Sequence, residues 1–352
     1  MNYELRKIQD AEIRGKTVLL RADLDVPFAN GIIADDSRLK ASISTVEYLT
    51  NQNCKIITCG HLGRPSSANG KQTTDYSLEP VAKWFLEKFG KESLGETKID
   101  GFSGWQIKEN LFLLENLRFF EGEEKNDEEF AEKLAALSEI YVNDAFASSH
   151  RAHASTSGVP KILPHFAGFH LQKEVETLSK VLENPKRPLT VVIGGAKIET
   201  KLPVVEKMHG FSDFVLVGGE IAEHTRELLK VAHEKTKRRS ELLVADLTSD
   251  QKDITEESLN KFIEIIKKSE TVIWNGPLGL ILPGIYESPT TKFAKALSEN
   301  SNIYSIVGGG DTVELITRVG LKDKFSFVST GGGAMLEFLS GEALPGLSAL
   351  QN

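Results

Sequence analysis

Nine short, nearly uninterrupted apolar runs rich in β-branched residues punctuate the chain: TVLLRAD, KIITCGHLG, EIYVNDAF, LTVVIGGAK, DFVLVGGE, ELLVADL, TVIWNGP, IYSIVGGG and FSFVSTGGG. A strand with one wet face alternates polar and apolar positions, whereas a strand covered on both faces reads as a continuous run. These runs therefore predict parallel strands between helical layers. Amphipathic stretches separate them. Asn126–Ser138 opens with acid, which suits the positive end of a helix dipole, and in Asp253–Lys268 the pair Asp253 and Glu256 has capping spacing. Strand and helix alternate over the whole length, which predicts an α/β protein with doubly wound parallel sheets.

A boundary is expected near the middle. Between Pro164 and Pro188, the residues Phe169, Val175, Leu178 and Leu182 recur near helical spacing, and the flanking prolines suit a helix joining two domains. The expected division is an N-terminal domain over 1–165, an interdomain helix and hinge over 166–186, a C-terminal domain over 187–340 and a tail over 341–352.

Ligands of such sheets bind beyond the carboxyl ends of the strands, and there the two halves differ. The first half carries isolated arginines at or just after strand ends: Arg21, Arg38, Arg64, Arg118 and Arg151, with His61 and His150 beside two of them. Their settings, HLGRP and SSHRAHAS, lack the charge pattern of a solvated helix face, and converging guanidinium forks hold phosphate or carboxylate. The second half carries glycine instead, at Gly194-Gly195, Gly218-Gly219, Gly308 to Gly310 and Gly331 to Gly333, each before a helix start. Glycine lets backbone N–H groups approach an anion at a helix N-terminus. Turns and caps also use Gly, Asp and Asn for purely structural reasons, so no single turn decides the matter. An arginine half beside a glycine-and-lysine half points to phosphoryl transfer between a small anion and a nucleotide.

Composition narrows the field. The 352 residues are 40% hydrophobic and 26% charged, enough for two domains at the usual ~150 residues each, and the net charge of −8 disfavours nucleic acid or an anionic membrane as partner. Cys54 and Cys59 lie in one apolar run with no second pair for a metal, so buried thiols in a reducing compartment are expected. The N-terminal residues are charged throughout, without the apolar core of a signal peptide, and the longest uncharged stretch, Thr271–Tyr286, is too short to span a bilayer. A cytoplasmic location follows as an expectation. The one G-K-T, Gly15-Lys16-Thr17, has Asp10 where a Walker loop needs glycine, and no G-x-G-x-x-G occurs.

Nine motifs in order, from about Ile8 to the C-terminus, resemble the phosphoglycerate kinase family. They are RADLDVPF (21–28), DSRLKAS (36–42), HLGRP (61–65), LLENLRFF (113–120), VNDAFASSHRAHAST (142–156), GGAKIETK (194–201), WNGPLG (274–279), GGGDT (308–312) and STGGGAMLEFLSGEALPG (329–346). The resemblance implies reversible transfer from 1,3-bisphosphoglycerate to ADP across a closing cleft, a carboxyl-group phosphotransferase acting as a monomer in glycolysis and gluconeogenesis. It implies 3-phosphoglycerate among Asp23, Asp25, Arg38, His61, Arg64, Arg118, His150 and Arg151 of the first domain. The nucleotide is implied against Gly195, Lys197, Lys201, Gly219, Asn275, Pro277, Gly309, Gly310, Asp311 and Thr312, with Mg²⁺ as the nucleotide's ion and Asp311 as its partner. Arg38 and Lys197 are the implied clamps of the moving phosphoryl group, aided by N–H groups at Gly332 and Gly333, and LPGLSAL resembles a tail returning to the first domain.

Some positions depart from the family pattern. The chain is short between Gly219 and Thr271, Asp25 replaces Asn, Glu220 replaces a small residue, and Leu282 replaces a glutamate that holds ribose. Weaker discrimination of ribose hydroxyls is expected from the last change. Asp25 needs a compensating cation, for which Arg38 and Arg21 are the candidates. Two other classes compete with an active kinase. A degenerate binding protein is opposed by the intact Arg38, Lys197, Lys201 and Asp311, and a nicotinamide dehydrogenase by the missing glycine fingerprint.

Overall fold

The computed structural model describes residues 3–65, 76–90, 94–231, 240–281 and 288–351. The chain divides into two compact units, Met1–Glu176 with Ala343–Asn352, and Thr177–Glu342. The division falls inside the helix Phe169–Glu183, where Leu171, Val175, Leu178 and Val181 are buried while Phe169 and Leu182 are only partly covered.

Unit 1 is built on strands β1 (Thr17–Arg21), β4 (Lys55–Cys59), β5 (Gly95–Ile99), β6 (Phe102–Lys108), β7 (Leu111–Leu114), β8 (Ile140–Asn143) and β9 (His165–Ala167), with a separate hairpin of β2 (Phe28–Ala29) and β3 (Ile32–Ile33). The sheet order is β5-β6-β7-β4-β1-β8-β9. The part from β7 through β9 is parallel, but β5, β6 and β7 pair antiparallel. The sheet is thus mixed, where the apolar runs predict a parallel one. The run GETKI of β5 alternates half-buried and exposed positions, the signature of an edge strand with a wet face. The core lies around β1 and β4, with Val18, Leu20 and Ile56 against Val46, Leu49 and Phe85 from the covering helices. The C-terminal segment belongs to this unit: the Leu344 N–H donates to the Tyr3 hydroxyl (2.8 Å) and the Gly346 N–H to the Ser149 carbonyl (2.8 Å).

Unit 2 is built on β10 (Leu189–Ile193), β11 (Phe214–Val217), β12 (Glu241–Val244), β13 (Thr271–Asn275), β14 (Tyr304–Gly308) and β15 (Phe327–Val328), in the order β12-β11-β10-β13-β14-β15, every pair parallel. All five residues of β10 and of β13 are buried, as strands with two covered faces must be. Trp274 fills the centre, edge-on to Phe293 at 5.1 Å between ring centroids, and its indole N–H donates to the Gly276 carbonyl (2.8 Å). The helix Glu256–Ile266 is capped by Thr255, whose hydroxyl accepts from the Ser258 N–H (3.2 Å), and not by Asp253. Asp253 lies two positions too early; its carboxylate turns to the N–H of Ile254.

Candidate functional site

In each sheet one strand is flanked by strands reached in opposite chain directions. In unit 1 it is β1, between β4 and β8, and in unit 2 it is β10, between β11 and β13. Connections leave such a strand on both sides, opening a crevice beyond its carboxyl end. The candidate residues gather at these two points.

At the end of β1 the chain runs through Arg21, Asp23 and Asp25, and the end of β4 delivers His61 and Arg64. Burial pushes the Asp23 carboxyl up from its ordinary range, against the opposing pull of Arg38 and Arg21, and one carboxylate oxygen accepts the Ala147 N–H (2.9 Å). Asp25 accepts the Gly63 N–H (2.9 Å), and its other oxygen stands 4.0 Å from the Arg38 guanidinium, which also donates to the Asp25 carbonyl. Arg38 is therefore the compensating cation; Arg21 faces elsewhere, toward the Ala22 carbonyl, Ser155 and His61. An Asn at position 25 keeps the bond to Gly63 and loses the charge. For an anionic substrate held by these arginines, Asp25→Asn should lower KM about two- to fivefold, the scale of one half-exposed charge contact. A raised KM would make the carboxylate a required acceptor.

Arg118, Arg151 and His150 come from two further segments. Arg118 is held on three sides: its backbone N–H donates to Asn116 (3.1 Å), its Nε–H to Glu124 (2.8 Å) and an Nη–H to the Gly63 carbonyl (2.5 Å). The fully buried Asn116 also donates to the carbonyls of Leu62 and Tyr76, so one amide ties the HLGRP loop to the Arg118 turn. Burial, and then the neighbouring Arg118 and Arg64, lower the Arg151 pKa, while Glu124 and Asp25 oppose the shift. His150 accepts from Arg151 (3.2 Å), and burial with the arginine field brings its pKa to about 4, so it is neutral near pH 7. The surroundings of this cluster favour an anion with more than one negative charge.

His61 lies deeper. Burial, followed by Arg21, Arg118 and Arg151, drives its pKa well below the ordinary value, so the ring is neutral. Its Nδ1 faces the Arg21 guanidinium at 3.0 Å, and its Nε2 faces Glu123 at 2.6 Å. Arginine can only donate, so Nδ1 is the accepting nitrogen and the proton sits on Nε2, toward Glu123. Both ring nitrogens are thus engaged by protein. Glu123, Ser155 and Asn116 were not singled out by the sequence pattern. EGEEK reads as a solvated acidic turn, and nothing in it marks the one glutamate that is buried.

In unit 2 the glycine turns of five strand ends crowd together. The Gly194 N–H donates to the Asn275 carbonyl (3.0 Å), the Gly219 N–H to the Leu278 carbonyl (2.7 Å), and the Asn275 amide to the Gly332 carbonyl (3.2 Å). Pro277 is buried in this junction, and Gly309 turns the chain into the helix Gly310–Arg318 with a φ of 95°. Asp311 and Thr312 occupy that helix's first turn. Thr312 is fully buried with its hydroxyl lacking a partner among the described residues, beside the exposed Gly310 and Asp311. Lys201 is buried beneath the turns and donates to the Gly194 carbonyl. Burial lowers its pKa to about 8, with Asp311 opposing and the exposed Lys197 adding to the shift. Gly332 starts the helix Gly332–Ser340 and Gly333 is exposed in its first turn. Glu220 is exposed just before the helix Ile221–Val231; Leu282 lies outside the described residues.

Oxygen donors and backbone N–H groups here suit a nucleotide's phosphates and a hard divalent ion, the Asp311 carboxylate being the available oxygen ligand beside Lys201. Among the described residues, no helix is long and apolar enough to cross a membrane.

Comparison with known proteins bears on the whole chain. The family model described as phosphoglycerate kinase matches residues 8–241 and 224–342. The phosphoglycerate kinase of Dictyoglomus turgidum is 38% identical over 393 aligned positions, covering 98% of each chain, and that of Finegoldia magna is 37% identical over 394, again covering 98% of each. Among solved structures, phosphoglycerate kinase from Coxiella burnetii superposes with a TM-score of 0.78 at 32% identity, covering 98% of each chain. That from Pyrococcus horikoshii superposes with a TM-score of 0.80 at 29% identity, covering 99% of this chain and 98% of its own.

Proposed function

This chain belongs to the phosphoglycerate kinase family, and from that premise we propose how its residues divide the work of the family's reaction. The reaction is the reversible, glycolytic transfer of a phosphoryl group from 1,3-bisphosphoglycerate to ADP, giving 3-phosphoglycerate and ATP. Unit 1 takes the three-carbon acid: Arg64, Arg118 and Arg151 receive its phosphate, Arg38 its carboxyl end, and Asp23 accepts from its hydroxyl, while His61, His150 and Asp25 complete the surroundings. Unit 2 takes the magnesium nucleotide as substrate, with Lys197, Lys201, Thr312 and the N–H groups of the turns at Gly195, Gly219 and Gly309 to Gly310 on its phosphates. Asn275 and Pro277 hold the turns in place, and Asp311 is the oxygen ligand for the ion.

The chemistry asks little of covalent catalysis. The moving phosphoryl group spreads negative charge over its oxygens, so alignment and neutralisation carry the rate. Arg38 from one unit and Lys197 from the other supply side-chain positive charge, and the N–H groups of Gly332 and Gly333 supply fixed dipoles. Exclusion of water matters because an acyl phosphate hydrolyses, so the two bound substrates must be brought into line by domain closure.

The observation that carries this reading is the gathering of arginines at the strand ends of unit 1, where Arg118 is bonded to Glu124 and to the Gly63 carbonyl of the loop that bears Arg64. The test is a coupled assay of the purified protein with MgATP and 3-phosphoglycerate, following NADH oxidation by an added triose phosphate dehydrogenase. Turnover requiring both substrates supports the proposal; absence of turnover in the folded protein overturns it and leaves a binding protein.

Lys201 adds a pH signature. Its folded pKa of about 8 lies below the ordinary 10.5, so between these values the unfolded chain holds more protons and unit 2 gains stability as pH rises. Nucleotide affinity runs the other way, because the phosphates need the charged form. The expected profile of kcat/KM for MgATP falls as pH passes about 8, while thermal stability measured in parallel does not. A flat limb to pH ~9.5 would assign the phosphate charge to another group.

A further inference from the structure

Under the arginine cluster lies a closed ring of side chains, of which only His61 figures in the assignments above. Arg21, His61, Glu123 and Ser155 are exposed by 1%, 4%, 0% and 0%. Arg21 donates from Nε to the Ser155 hydroxyl (3.0 Å) and from an Nη to His61 Nδ1 (3.0 Å). His61 donates from Nε2 to Glu123 Oε1 (2.6 Å), and Ser155 donates both its hydroxyl (2.5 Å, to Oε1) and its backbone N–H (3.0 Å, to Oε2) to the same carboxylate. One guanidinium can only donate, and the carboxylate accepts three times. Every proton in the ring therefore has one place, and the single positive and single negative group balance in a dry setting.

His61, Glu123 and His153 also lie close enough to suggest a divalent cation, with donor atoms within 4.8 Å of one another. The surroundings oppose it. A metal-bound histidine donates its second N–H to an acceptor, and here the second nitrogen of His61 faces Arg21, a donor. The ring is an internal brace.

What the brace joins is informative. Glu123 follows Arg118 in the turn where Glu124 holds the Arg118 guanidinium. His61 belongs to the loop that carries Arg64, Ser155 to the segment that carries Arg151, and Arg21 ends β1 just before Asp23. One buried carboxylate thus connects the segments bearing Arg64, Arg118 and Arg151 to the strand end leading to Asp23. We propose that Glu123 is a positioning residue for the anion site of unit 1, fixing His61 and Ser155, and through them Arg21, so that Arg64, Arg118 and Arg151 are preset for a phosphate. This rests on the reading that unit 1 holds 3-phosphoglycerate.

Glutamine at 123 matches the shape but cannot match the pattern. Its amide NH₂ must face either the Ser155 N–H or the His61 and Ser155 donors, and the charge opposing Arg21 is gone. The expected result for Glu123→Gln is a rise of roughly tenfold or more in KM for 3-phosphoglycerate, the scale seen when a supporting partner is removed. The KM for MgATP should move less than about twofold, and kcat at saturation less than about threefold. Ser155→Ala, which keeps the backbone bond and loses only the hydroxyl, should give a smaller rise in the same constant and guards against a Glu123→Gln protein that does not fold. Two-bond ¹H–¹⁵N spectra of the imidazoles supply a readout that mere packing would not move. Wild-type His61 should hold the Nε2–H tautomer near neutral pH, and Glu123→Gln should mix the tautomers. Arg118→Ala is measured beside them. If it raises KM for 3-phosphoglycerate while both ring variants leave that constant and the tautomer as in wild type, the positioning role is wrong and the site stands. If none of the three affects KM, the anion site itself is misplaced and the inference goes with it.

Discussion

Arg38→Ala and Lys197→Ala are each expected to lower kcat about 100-fold or more with the fold intact. The figure follows from the ~3 kcal/mol that one preorganised charge-stabilising donor contributes to a transition state, at 1.36 kcal/mol per tenfold. Both side chains reach solvent. The Arg38 side chain is 30% exposed while it donates to the Asp25 carbonyl, and Lys197 is exposed just before the helix Ile198–His209. The two variants should differ in KM: Arg38→Ala affecting 3-phosphoglycerate, Lys197→Ala affecting MgATP. Single-turnover rates with circular dichroism on the same samples separate chemistry from folding. A folded variant with near-normal kcat would show that its clamp role is wrongly assigned.

Gly276→Ala is expected to damage unit 2 at its centre. Gly276 has a φ of 93°, which L side chains rarely adopt, and an added Cβ would stand 2.1 Å from the Gly194 carbonyl oxygen and 2.3 Å from Lys201 Nζ. Lysine could move aside, but the carbonyl belongs to the turn that ends β10 and cannot do so without shifting the whole junction. Strain of this kind costs about 1–3 kcal/mol for the backbone and a similar amount for overpacking. Together, at about 2–6 kcal/mol and ~2–4 °C per kcal/mol, they predict a fall of roughly 4–24 °C in the melting transition of a domain this size. The KM for MgATP should rise by tenfold or more, since the Gly194 turn and Lys201 are displaced together. Differential scanning calorimetry with steady-state kinetics checks both. A melting transition within ~2 °C of wild type would mean the turn yields more easily than its contacts imply.

The reading of Asp25 illustrates how far residue type alone can reach. A carboxylate among arginines near an anion demands a partner, and that demand is visible in the sequence. Which arginine answers depends on where β1 ends and where the short helix Ser37–Ala41 begins. Arg21 is nearer in sequence but each of its three guanidinium nitrogens is engaged beneath the surface; Arg38 reaches the carboxylate. Similarly, the expected cap Asp253 has the right chemistry, and Thr255 takes the position because a cap must directly precede the first turn.

The order of residues alone sets the fold class, because continuous apolar strands bounded by glycine and polar turns cannot be stable unless helices cover both faces of a sheet. It also determined the residue types at the strand ends, and with them the family, since nine motifs in order leave the topology little choice. Tertiary structure decided which of those residues face outward and which brace them from below. His61 and Arg21 look like surface ligands in HLGRP and RADLDVPF, yet they are buried in a ring closed by Glu123, a residue 62 positions from His61. Only long-range packing brings those segments together. The burial of one glutamate out of the acidic turn EGEEK depends on chain geometry that local charge pattern does not encode. The antiparallel edge β5–β6–β7 was decided in the same way, since the pairing of neighbouring strands is set by turn lengths and by which sheet face is left open to water.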